Sequence, residues 1–247
     1  MNKLTQYLRR KFIVLNELRK KKTVVLIISS MRSGSTLLKS LLATAPDTSH
    51  LPEVDFQTYT AQNAWRIKTL SNRPILILKK PAMFDDPNYP QFPPLPGVKK
   101  IVLLRDAYET VVSLRKMIAK AYPELADTWT AEKLLHDYWL PLYRKLTDAP
   151  RLQGDDTLVI RYEDVLAQPI DQTQRIFAFI GSRQREGVDS YAPPSSYQWA
   201  WGNDDGGEKI KSHRVQAQEL RRDDPVLVEL IENSEAVRKL RHQLGYQ

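Results

Sequence analysis

Short apolar runs that alternate with helical patterns constrain the fold of this chain more than any other feature. The apolar runs cover residues 23–29, 75–78, 101–104 and 157–160. The helical patterns cover residues 36–45, 106–121, 130–146, 170–180 and 225–240. Because the runs are apolar on both faces, they are typical of parallel strands with helices packed on each side. We therefore predict an α/β fold, a central parallel sheet flanked by helices, with right-handed crossovers.

Nothing in the sequence divides the chain into separate domains. Its 247 residues suit one domain over residues 1–247, and no linker is visible. Residues 1–22 predict a basic amphipathic helix, which we expect to pack beside the core rather than to anchor a membrane. Residues 81–98 and 190–212 are long stretches rich in proline, aromatic or glycine residues. Because loops this long are usually functional, we predict that both border an active site.

Composition excludes several kinds of site. The chain has no cysteine, so it holds no disulfide, zinc thiolate or cysteine nucleophile. Its 4 histidines lack metal-ligand spacing, and we predict no metal site. A net charge of +8 suits an anionic partner. No apolar run approaches the ~20 residues that span a bilayer, and no secretory signal is visible, so we expect a cytoplasmic protein.

A Ser/Gly turn between the first strand and its helix carries the strongest functional signal. The segment reads SMRSGSTLL, in which Gly34 allows close backbone approach. Arg32 adds a guanidinium, and Ser33, Ser35 and Thr36 add hydroxyls. Unpaired N–H groups and the helix dipole make such a turn a phosphate site. A plainer interpretation is a helix with Ser35 as its N-cap. The GxxxxGKS/T pattern of nucleotide kinases is absent.

A second basic position follows the third strand. Arg105 begins the segment RDAYETVVS, and Ser113 ends it within the next helix. If the first and third strands are neighbours, Arg105 stands beside the Ser/Gly turn, because ligands bind beyond the carboxyl ends of parallel strands. An arginine and a serine so placed can bind a second phosphate.

Three segments, in this order, resemble the motifs of sulfotransferases that use 3′-phosphoadenosine 5′-phosphosulfate (PAPS). SMRSGSTLL is similar to their 5′-phosphosulfate loop, RDAYETVVS to their 3′-phosphate motif, and LVIRYEDVLAQP to their strand with a YED sequence. The likeness extends over residues 23–181. It implies a sulfotransferase fold related to the P-loop kinases, PAPS as the donor, adenosine 3′,5′-bisphosphate as the product, and no metal requirement.

The resemblance also implies roles for individual residues. Arg105 and Ser113 match the arginine and serine that bind the 3′-phosphate, and Tyr162 would lie near the adenine. The residues that would hold the 5′-phosphosulfate are Arg32, Ser33, Gly34, Ser35, Thr36 and Leu37. Arg32 would also stabilise the charge that develops on the bridging oxygen.

The catalytic base is not the histidine that the cytosolic branch of the family carries in a KTH segment, because Pro81 stands in its place. Other branches use a glutamate shortly after the first helix, and Glu53 in LPEVDF resembles it. A partly buried carboxylate is a workable base, because desolvation raises its pKa. His50 and Asp55 are rival bases, and Glu53 as an exposed loop carboxylate or helix cap is the plainer interpretation.

Several lysines are candidates for contact with the donor. Lys79 and Lys80 end the second strand, and because side chains alternate along a strand, one could face the sulfuryl group and the other solvent. We favour Lys79. Further on, the resemblance places a glycine- and lysine-containing loop over the 3′-phosphate. Its candidates are Gly207, Lys209 and Lys211, although the RKGxxG form of the cytosolic branch is absent.

The acceptor is a small molecule whose character rests on the loops beside the predicted site. Those loops are acidic, which predicts a cationic acceptor such as a hydroxylated amine or a guanidinium alkaloid, although acidic residues are also common in turns. The acidic positions are Glu53, Asp55, Asp85, Asp86, Asp204, Asp205 and Glu208. Aromatic residues, either in the core or walling an acceptor pocket, are Phe56, Tyr59, Phe84, Tyr89, Phe92, Trp199 and Trp201.

The sequence thus predicts transfer of a sulfuryl group from PAPS to a hydroxyl, N-hydroxyl or amine of a small molecule in natural-product biosynthesis. One alternative is a P-loop-type nucleotide or small-molecule kinase, which the missing lysine disfavours. Another is a basic nucleic-acid-binding protein, for which a basic stripe with interleaved aromatic residues is missing. We expect no nucleic-acid partner and no transmembrane segment.

Overall fold

A computed structural model describes residues 18–84, 86, 88–195, 208–217 and 222–246. Its described residues form one four-stranded sheet in the order β2-β1-β3-β4. The strands are β1 (Thr23–Ser30), β2 (Ile75–Ala82), β3 (Lys99–Leu104) and β4 (Thr157–Arg161). Each pairing is parallel. The predicted α/β fold with a central parallel sheet is confirmed, whereas the predicted helix at residues 1–22 lies mostly outside the described residues.

Helices connect and cover the strands. They are α1 (Ser35–Leu42), α2 (Ala107–Ala121), α3 (Ala131–Lys133), α4 (Leu140–Asp148), α5 (Tyr162–Ala167), α6 (Pro169–Ile180), α7 (Glu208–Lys211), α8 (Pro225–Asn233) and α9 (Glu235–Gln243). Short 3-10 turns cover Phe56–Thr58, Ala64–Thr69, Pro123–Leu125 and Pro150–Leu152. No helix within the described ranges is both long enough and apolar enough to cross a membrane.

Two predicted helices differ from the structure. The helix predicted at residues 130–146 contains a π-helix, Leu134–Trp139, between α3 and α4. The helix predicted at residues 225–240 is two helices, because Ser234 is extended (φ −92°, ψ 100°) and breaks the hydrogen-bond ladder. Hydrophobic periodicity did not reveal either change, because both leave the apolar faces of these helices directed at the same core.

Strand β2 is longer than predicted and includes Pro81, which pairs with Ser29 of β1. Proline lacks the N–H that an interior strand needs, and β2 tolerates it because it is an edge strand of the described sheet. The predicted loop at residues 81–98 therefore begins after Ala82. The extension carries Lys79 and Lys80 to the carboxyl edge of the sheet within regular strand.

The core lies in two layers, one on each face of the sheet. Alternate residues of β1 enter the two layers, Val24 and Leu26 on one face and Val25 and Ile27 on the other. The first layer includes residues of α2, α4, α8 and α9, and the second includes residues of α1 and α6. Because helices cover both faces, the strand sequences are apolar throughout rather than alternating.

The strand order sets the position of the site. From β1 the chain proceeds to β2 on one side, and from β3 it proceeds to β4 on the other. The connecting helices therefore diverge and leave a crevice at the carboxyl ends of β1 and β3, where open α/β sheets bind ligands. The predicted neighbourhood of the Ser/Gly turn and Arg105 is confirmed, since β1 pairs with β3.

The predicted loop at residues 190–212 is closed at its base. Ser190 forms an antiparallel bridge with Arg214, and the Tyr191 N–H donates to the His213 carbonyl at 2.9 Å. Tyr191 is buried in the second core layer. Residues 196–207, with Trp199 and Trp201, lie outside the described residues.

Candidate active site

The loop between β1 and α1 is shaped by two residues with left-handed backbone, Arg32 (φ 60°) and Gly34 (φ 85°). The Ser33 hydroxyl donates to the Ser30 carbonyl at 2.8 Å and so holds the turn. Gly34 is the N-cap, with no side-chain hydrogen bond, and α1 begins at Ser35. The interpretation of Ser35 as N-cap is wrong. Because the first N–H groups of a helix lack intrahelical acceptors, the start of α1 suits an anion.

Tyr162 lies directly against this loop. A Cβ atom added at Gly34 would stand 2.1 and 2.2 Å from two atoms of the Tyr162 ring. Glycine is therefore required here by this contact as well as by its positive φ. On the same ring, the Arg105 guanidinium lies 4.8 Å from the centroid. Burial raises the pKa of Tyr162, so its phenol is neutral at functional pH.

Arg105 follows β3 directly and is only 8% exposed. Its Nη1 donates to the Arg32 carbonyl, and its Nη2 pairs with the Glu109 carboxylate at 3.2 Å. Its Nε is buried and has no hydrogen-bond partner among the described residues. A buried donor without an acceptor is costly, and it fits a site in which a phosphate oxygen accepts from Arg105.

Arg32 and Ser113 meet across the crevice. The Arg32 Nε donates to the Ser113 hydroxyl at 3.1 Å. The resemblance implied that these two residues serve different phosphates, and the structure brings them into direct contact. The loop after β1 and helix α2 therefore form one continuous polar surface.

Lys79 links the loop to the candidate base. Its ammonium lies 2.6 Å from the Glu53 carboxylate and donates to the Thr36 hydroxyl at 3.0 Å. Lys80 points elsewhere, as alternation requires, but it pairs with Asp55 at 3.0 Å rather than facing free solvent. The two consecutive lysines thus hold two carboxylates of the same loop.

A buried lysine that sequence reasoning missed lies behind this pair. Lys39, on α1, donates to the Leu51 carbonyl at 2.7 Å. Burial, and then the charge of Lys79, lower the pKa of Lys39 to about 7, while Glu53 opposes the shift. Burial, and then Lys39, lower the pKa of His50 to about 4, so its imidazole is neutral at pH 7. Lys39 therefore anchors the chain segment that carries Glu53.

The ends of β3 and β4 are tied together behind the site. The Asp106 N–H donates to the Glu163 carboxylate at 2.9 Å, and Arg241 of α9 pairs with Asp106 at 3.0 Å. Tyr246 donates to the other Glu163 oxygen at 3.2 Å. Burial raises the pKa of Glu163. Because Asp106 follows Arg105 and Glu163 follows Tyr162, this network restrains both of those side chains.

The remaining predicted binding residues are less central or lie outside the description. Ser35 is buried, and Leu37 packs against the second core layer, so only its backbone is available to a ligand. Lys211 is exposed at the end of α7. Gly207 and the side chain of Lys209 lie outside the described residues. In the described part of the chain, no group of three or more His, Asp or Glu side chains could hold a metal ion.

Several predicted acceptor residues have internal partners. Asp86 accepts from the Gln57 amide at 2.5 Å, and Asp55 is paired with Lys80. Phe56 and Tyr89 are buried in the core and wall no open pocket. Tyr59, Phe84 and Phe92 are partly buried against the same core. The other acidic positions, and the tryptophans of the later loop, lie outside the described residues or side chains.

Sequence reasoning missed two buried tyrosines beneath the loop, Tyr138 and Tyr143, and Tyr89, which it named only as a core or pocket aromatic, lies with them. Each hydroxyl contacts the backbone at the end of β1 or β3. A signal was present, because a buried tyrosine requires a hydrogen-bond partner for its hydroxyl. The identity of that partner depends on the packing of distant segments.

Comparison with known proteins agrees with the observed fold. Residues 22–203 match the family model described as Sulfotransferase domain. The sulfotransferase domain from the curacin biosynthetic pathway is similar in structure, with a TM-score of 0.54, 17% identity, and coverage of 92% of this chain and 98% of that chain. The sulfotransferase domain from the Synechococcus PCC 7002 olefin synthase has a TM-score of 0.52, 19% identity and coverage of 93% and 97%. A sulfotransferase from Alicyclobacillus acidocaldarius has a TM-score of 0.50, 13% identity and coverage of 90% and 96%. No curated protein sequence matches significantly.

Proposed function

The chain belongs to the sulfotransferase family, and on that premise we propose that it transfers a sulfuryl group from PAPS to a hydroxyl of a small molecule. The observation that carries the choice of donor is Arg105. Its buried Nε lacks a partner among the described residues, and its Nη1 donates to the Arg32 carbonyl in the loop that precedes α1. A donor that places one phosphate at the start of α1 and another at Arg105 supplies a hydrogen-bond acceptor at each position.

Donor binding uses the two sides of the crevice. The N–H groups at the start of α1, from Gly34 to Leu37, and the Thr36 hydroxyl bind the 5′-phosphosulfate. Arg105 and Ser113 bind the 3′-phosphate. Tyr162 packs on Gly34 and stacks with Arg105, so in this proposal it contacts the nucleoside between the two phosphates.

Glu53 and Lys79 carry out the chemical step. The donor supplies an activated sulfuryl group. Glu53 accepts the proton of the acceptor hydroxyl. The oxygen of that hydroxyl forms a bond to sulfur while the bond from sulfur to the bridging phosphate oxygen breaks. Arg32 and Lys79 stabilise the negative charge that moves onto that oxygen. Adenosine 3′,5′-bisphosphate and the sulfated acceptor leave.

The sequence predicted a narrower class of acceptor than the arrangement of the site requires. An N-hydroxyl or amine requires the same in-line attack and the same base, so the geometry allows it. The cationic acceptor and the role in natural-product biosynthesis stay predictions. Two of the carboxylates on which the cationic character rested, Glu53 and Asp55, are each paired with a lysine.

Calorimetry with two nucleotides tests the proposed donor. We expect adenosine 3′,5′-bisphosphate to bind at least about 10-fold more tightly than adenosine 5′-phosphate, because a charge-assisted hydrogen bond contributes roughly 1.5–3 kcal/mol. PAPS alone should protect the protein against thermal unfolding, whereas ATP with magnesium should not. Equal affinity for the two nucleotides, together with protection by ATP and magnesium, would contradict the proposal and favour a kinase.

A further inference from the structure

Tyr138 and Tyr143 hold the loop after β1 and the backbone of Arg105 from below. The Tyr138 hydroxyl accepts from the Met31 N–H at 2.7 Å and donates to the Ala82 carbonyl at 2.8 Å. The Tyr143 hydroxyl accepts from the Arg105 N–H at 2.9 Å and lies 3.1 Å from the Ser30 hydroxyl. Both rings are fully enclosed by the first core layer.

These hydroxyls occupy places that a sheet normally fills with backbone hydrogen bonds. Ser30 of β1 stands opposite Ala82 of β2, so a parallel ladder would join the Met31 N–H directly to the Ala82 carbonyl. Tyr138 is inserted between these two groups. Tyr89 does the same one step earlier, accepting from the Ser29 N–H at 2.8 Å and donating to the Lys80 carbonyl at 2.7 Å. Where the loop begins, these two hydroxyls thus bridge backbone groups that a regular ladder would join directly.

The π-helix explains how one segment reaches both the loop after β1 and the backbone of Arg105. Tyr138 and Trp139 belong to the π-helix Leu134–Trp139, and Tyr143 follows in α4. The Trp139 indole donates to the Arg105 carbonyl at 3.3 Å and stacks on Tyr143 with centroids 4.5 Å apart. Single π-helical turns are rare in helices and frequent at functional sites. Here the turn directs consecutive side chains to the loop after β1 and to the backbone of Arg105.

We propose that Tyr138 and Tyr143 are positioning residues for the donor, Tyr138 for the 5′-phosphosulfate loop and Tyr143 for Arg105. This inference rests on the proposed function, because it concerns the same crevice. Neither tyrosine touches the donor. Tyr138 sets the direction of the chain into Arg32, and Tyr143 sets the backbone from which the Arg105 side chain reaches the 3′-phosphate.

The hydroxyls act as neutral hydrogen-bonding groups rather than as proton donors in the reaction. Burial raises the pKa of Tyr143 to about 12 and that of Tyr138 well above its ordinary value. Their loss therefore changes geometry without adding an ionisation to the pH profile. The pH dependence of kcat should be the same in the wild type and in both phenylalanine variants.

The test measures the affinities of Tyr138→Phe and Tyr143→Phe for adenosine 3′,5′-bisphosphate and adenosine 5′-phosphate. Removing one partner of a buried N–H costs roughly 1–3 kcal/mol of stability, and the share of that cost that falls on the donor-bound geometry lowers affinity by at most about 5- to 150-fold. We expect Tyr138→Phe to weaken both nucleotides by a similar factor. We expect Tyr143→Phe to weaken the bisphosphate more, so that discrimination between the two nucleotides falls.

Tyr108→Phe is the matched control. Tyr108 is buried in the same core layer, and its hydroxyl accepts from the Asp224 N–H at 2.7 Å, away from the loop. The Tyr108→Phe variant should lose stability but keep its affinities for both nucleotides and the ratio between them. Wild-type affinities in both tyrosine variants, or equal losses in all three variants, would overturn the proposal.

Hydrogen exchange of the nucleotide-free wild type keeps the inference testable even if a variant does not fold. The amides of Met31 and Arg105 should exchange as slowly as those inside β1, because each donates to a buried hydroxyl. Rapid exchange at both amides would overturn the inference. Failure of the wild type to bind the bisphosphate, with both amides protected, would contradict the proposed function alone.

Discussion

The two halves of the crevice are held by different forces. Beside β3, the N–H groups of Met31 and Arg105 donate to buried, neutral tyrosine hydroxyls. The Arg105 side chain donates to the Arg32 carbonyl and pairs with buried Glu109. Beside β2, Glu53 and Asp55 are held by lysines, and both carboxylate side chains are 39% exposed. Buried hydrogen bonds define one geometry, whereas carboxylates that are partly open to water are screened by water and salt, so each has more freedom to move. The donor half is therefore pre-organised, and the half that carries the base can adjust to an acceptor.

Replacing the base should give the largest effect. It should also distinguish the half of the crevice that carries Glu53 from the half that binds the donor. Glu53→Gln keeps the volume of the side chain and removes proton acceptance, so kcat should fall by about 10²–10⁴ with nucleotide affinity nearly unchanged. Steady-state kinetics and calorimetry measure the two effects. Asp55→Asn changes an equally exposed carboxylate and should alter kcat only a few-fold. Normal turnover in Glu53→Gln, with His50→Ala inactive, would transfer the role of base to His50.

A change in the donor half should, by contrast, act mainly on nucleotide affinity. Arg105→Ala removes the buried guanidinium, and bisphosphate affinity should fall by about 10- to 150-fold, because a charge-assisted hydrogen bond contributes roughly 1.5–3 kcal/mol. Discrimination against adenosine 5′-phosphate should fall with it, as measured by calorimetry. Arg115→Ala, which changes an exposed arginine on α2, is the control and should leave both affinities unchanged. Unaltered discrimination in Arg105→Ala would show that another group binds the 3′-phosphate.

A methyl group at Gly34 tests how rigid the donor half is. Gly34→Ala places a carbon 2.1 Å from the Tyr162 ring at a φ of 85°, so the ring or the loop must move. Backbone strain of this kind costs on the order of 1–3 kcal/mol, and we expect a comparable loss of bisphosphate affinity. Gly97→Ala has a similar positive φ (67°) with no neighbouring atom within 4 Å, and it should reduce stability only. Full affinity in Gly34→Ala would mean that the loop is adjustable after all.

The last expected effect is on stability rather than on turnover or binding, and it concerns the charge of Lys39 behind the base. Between pH 7 and 10.5, the unfolded chain binds a proton at Lys39 that the folded chain has released, because the folded pKa is lowered to about 7. The free energy of unfolding should therefore rise with pH across this window, by at most about 1.4 kcal/mol per pH unit. Urea unfolding should show that Lys39→Met lacks this rise and that Lys116→Met, at an exposed position, retains it. An identical pH dependence in both variants would contradict a lowered pKa for Lys39.

Sequence reasoning succeeded where a property is local. The four strands and the position of the Ser/Gly turn follow from short-range patterns, because burial on both faces of a strand requires an unbroken apolar run. The neighbourhood of Arg105 and the turn also followed, since it needs only adjacent parallel strands. The break at Ser234 and the π-helix at residues 134–139 did not follow, because each changes a few backbone hydrogen bonds without changing the apolar period.

The contacts between side chains could not be predicted from the sequence. Lys79 could be placed at a strand end, but its simultaneous contact with Thr36 and Glu53 depends on where the chain after α1 returns to the sheet. Ser33 is a second example, because the sequence marked its hydroxyl only as a phosphate ligand, and the structure shows that it donates to Ser30 within the turn. Both outcomes depend on distances between atoms that are not adjacent in sequence.

By itself, the sequence determined the α/β architecture, the glycine at the loop and the identity of the charged groups near the crevice. The tertiary structure decided how those groups are paired and that buried tyrosines support them. The physical reason is the range of the forces involved. Hydrophobic burial imposes a period that is visible along the chain, whereas a buried hydroxyl or guanidinium is satisfied by whichever partner packing brings within about 3 Å. Tyr143, which joins the end of β1 to the start of the Arg105 segment, is such a partner.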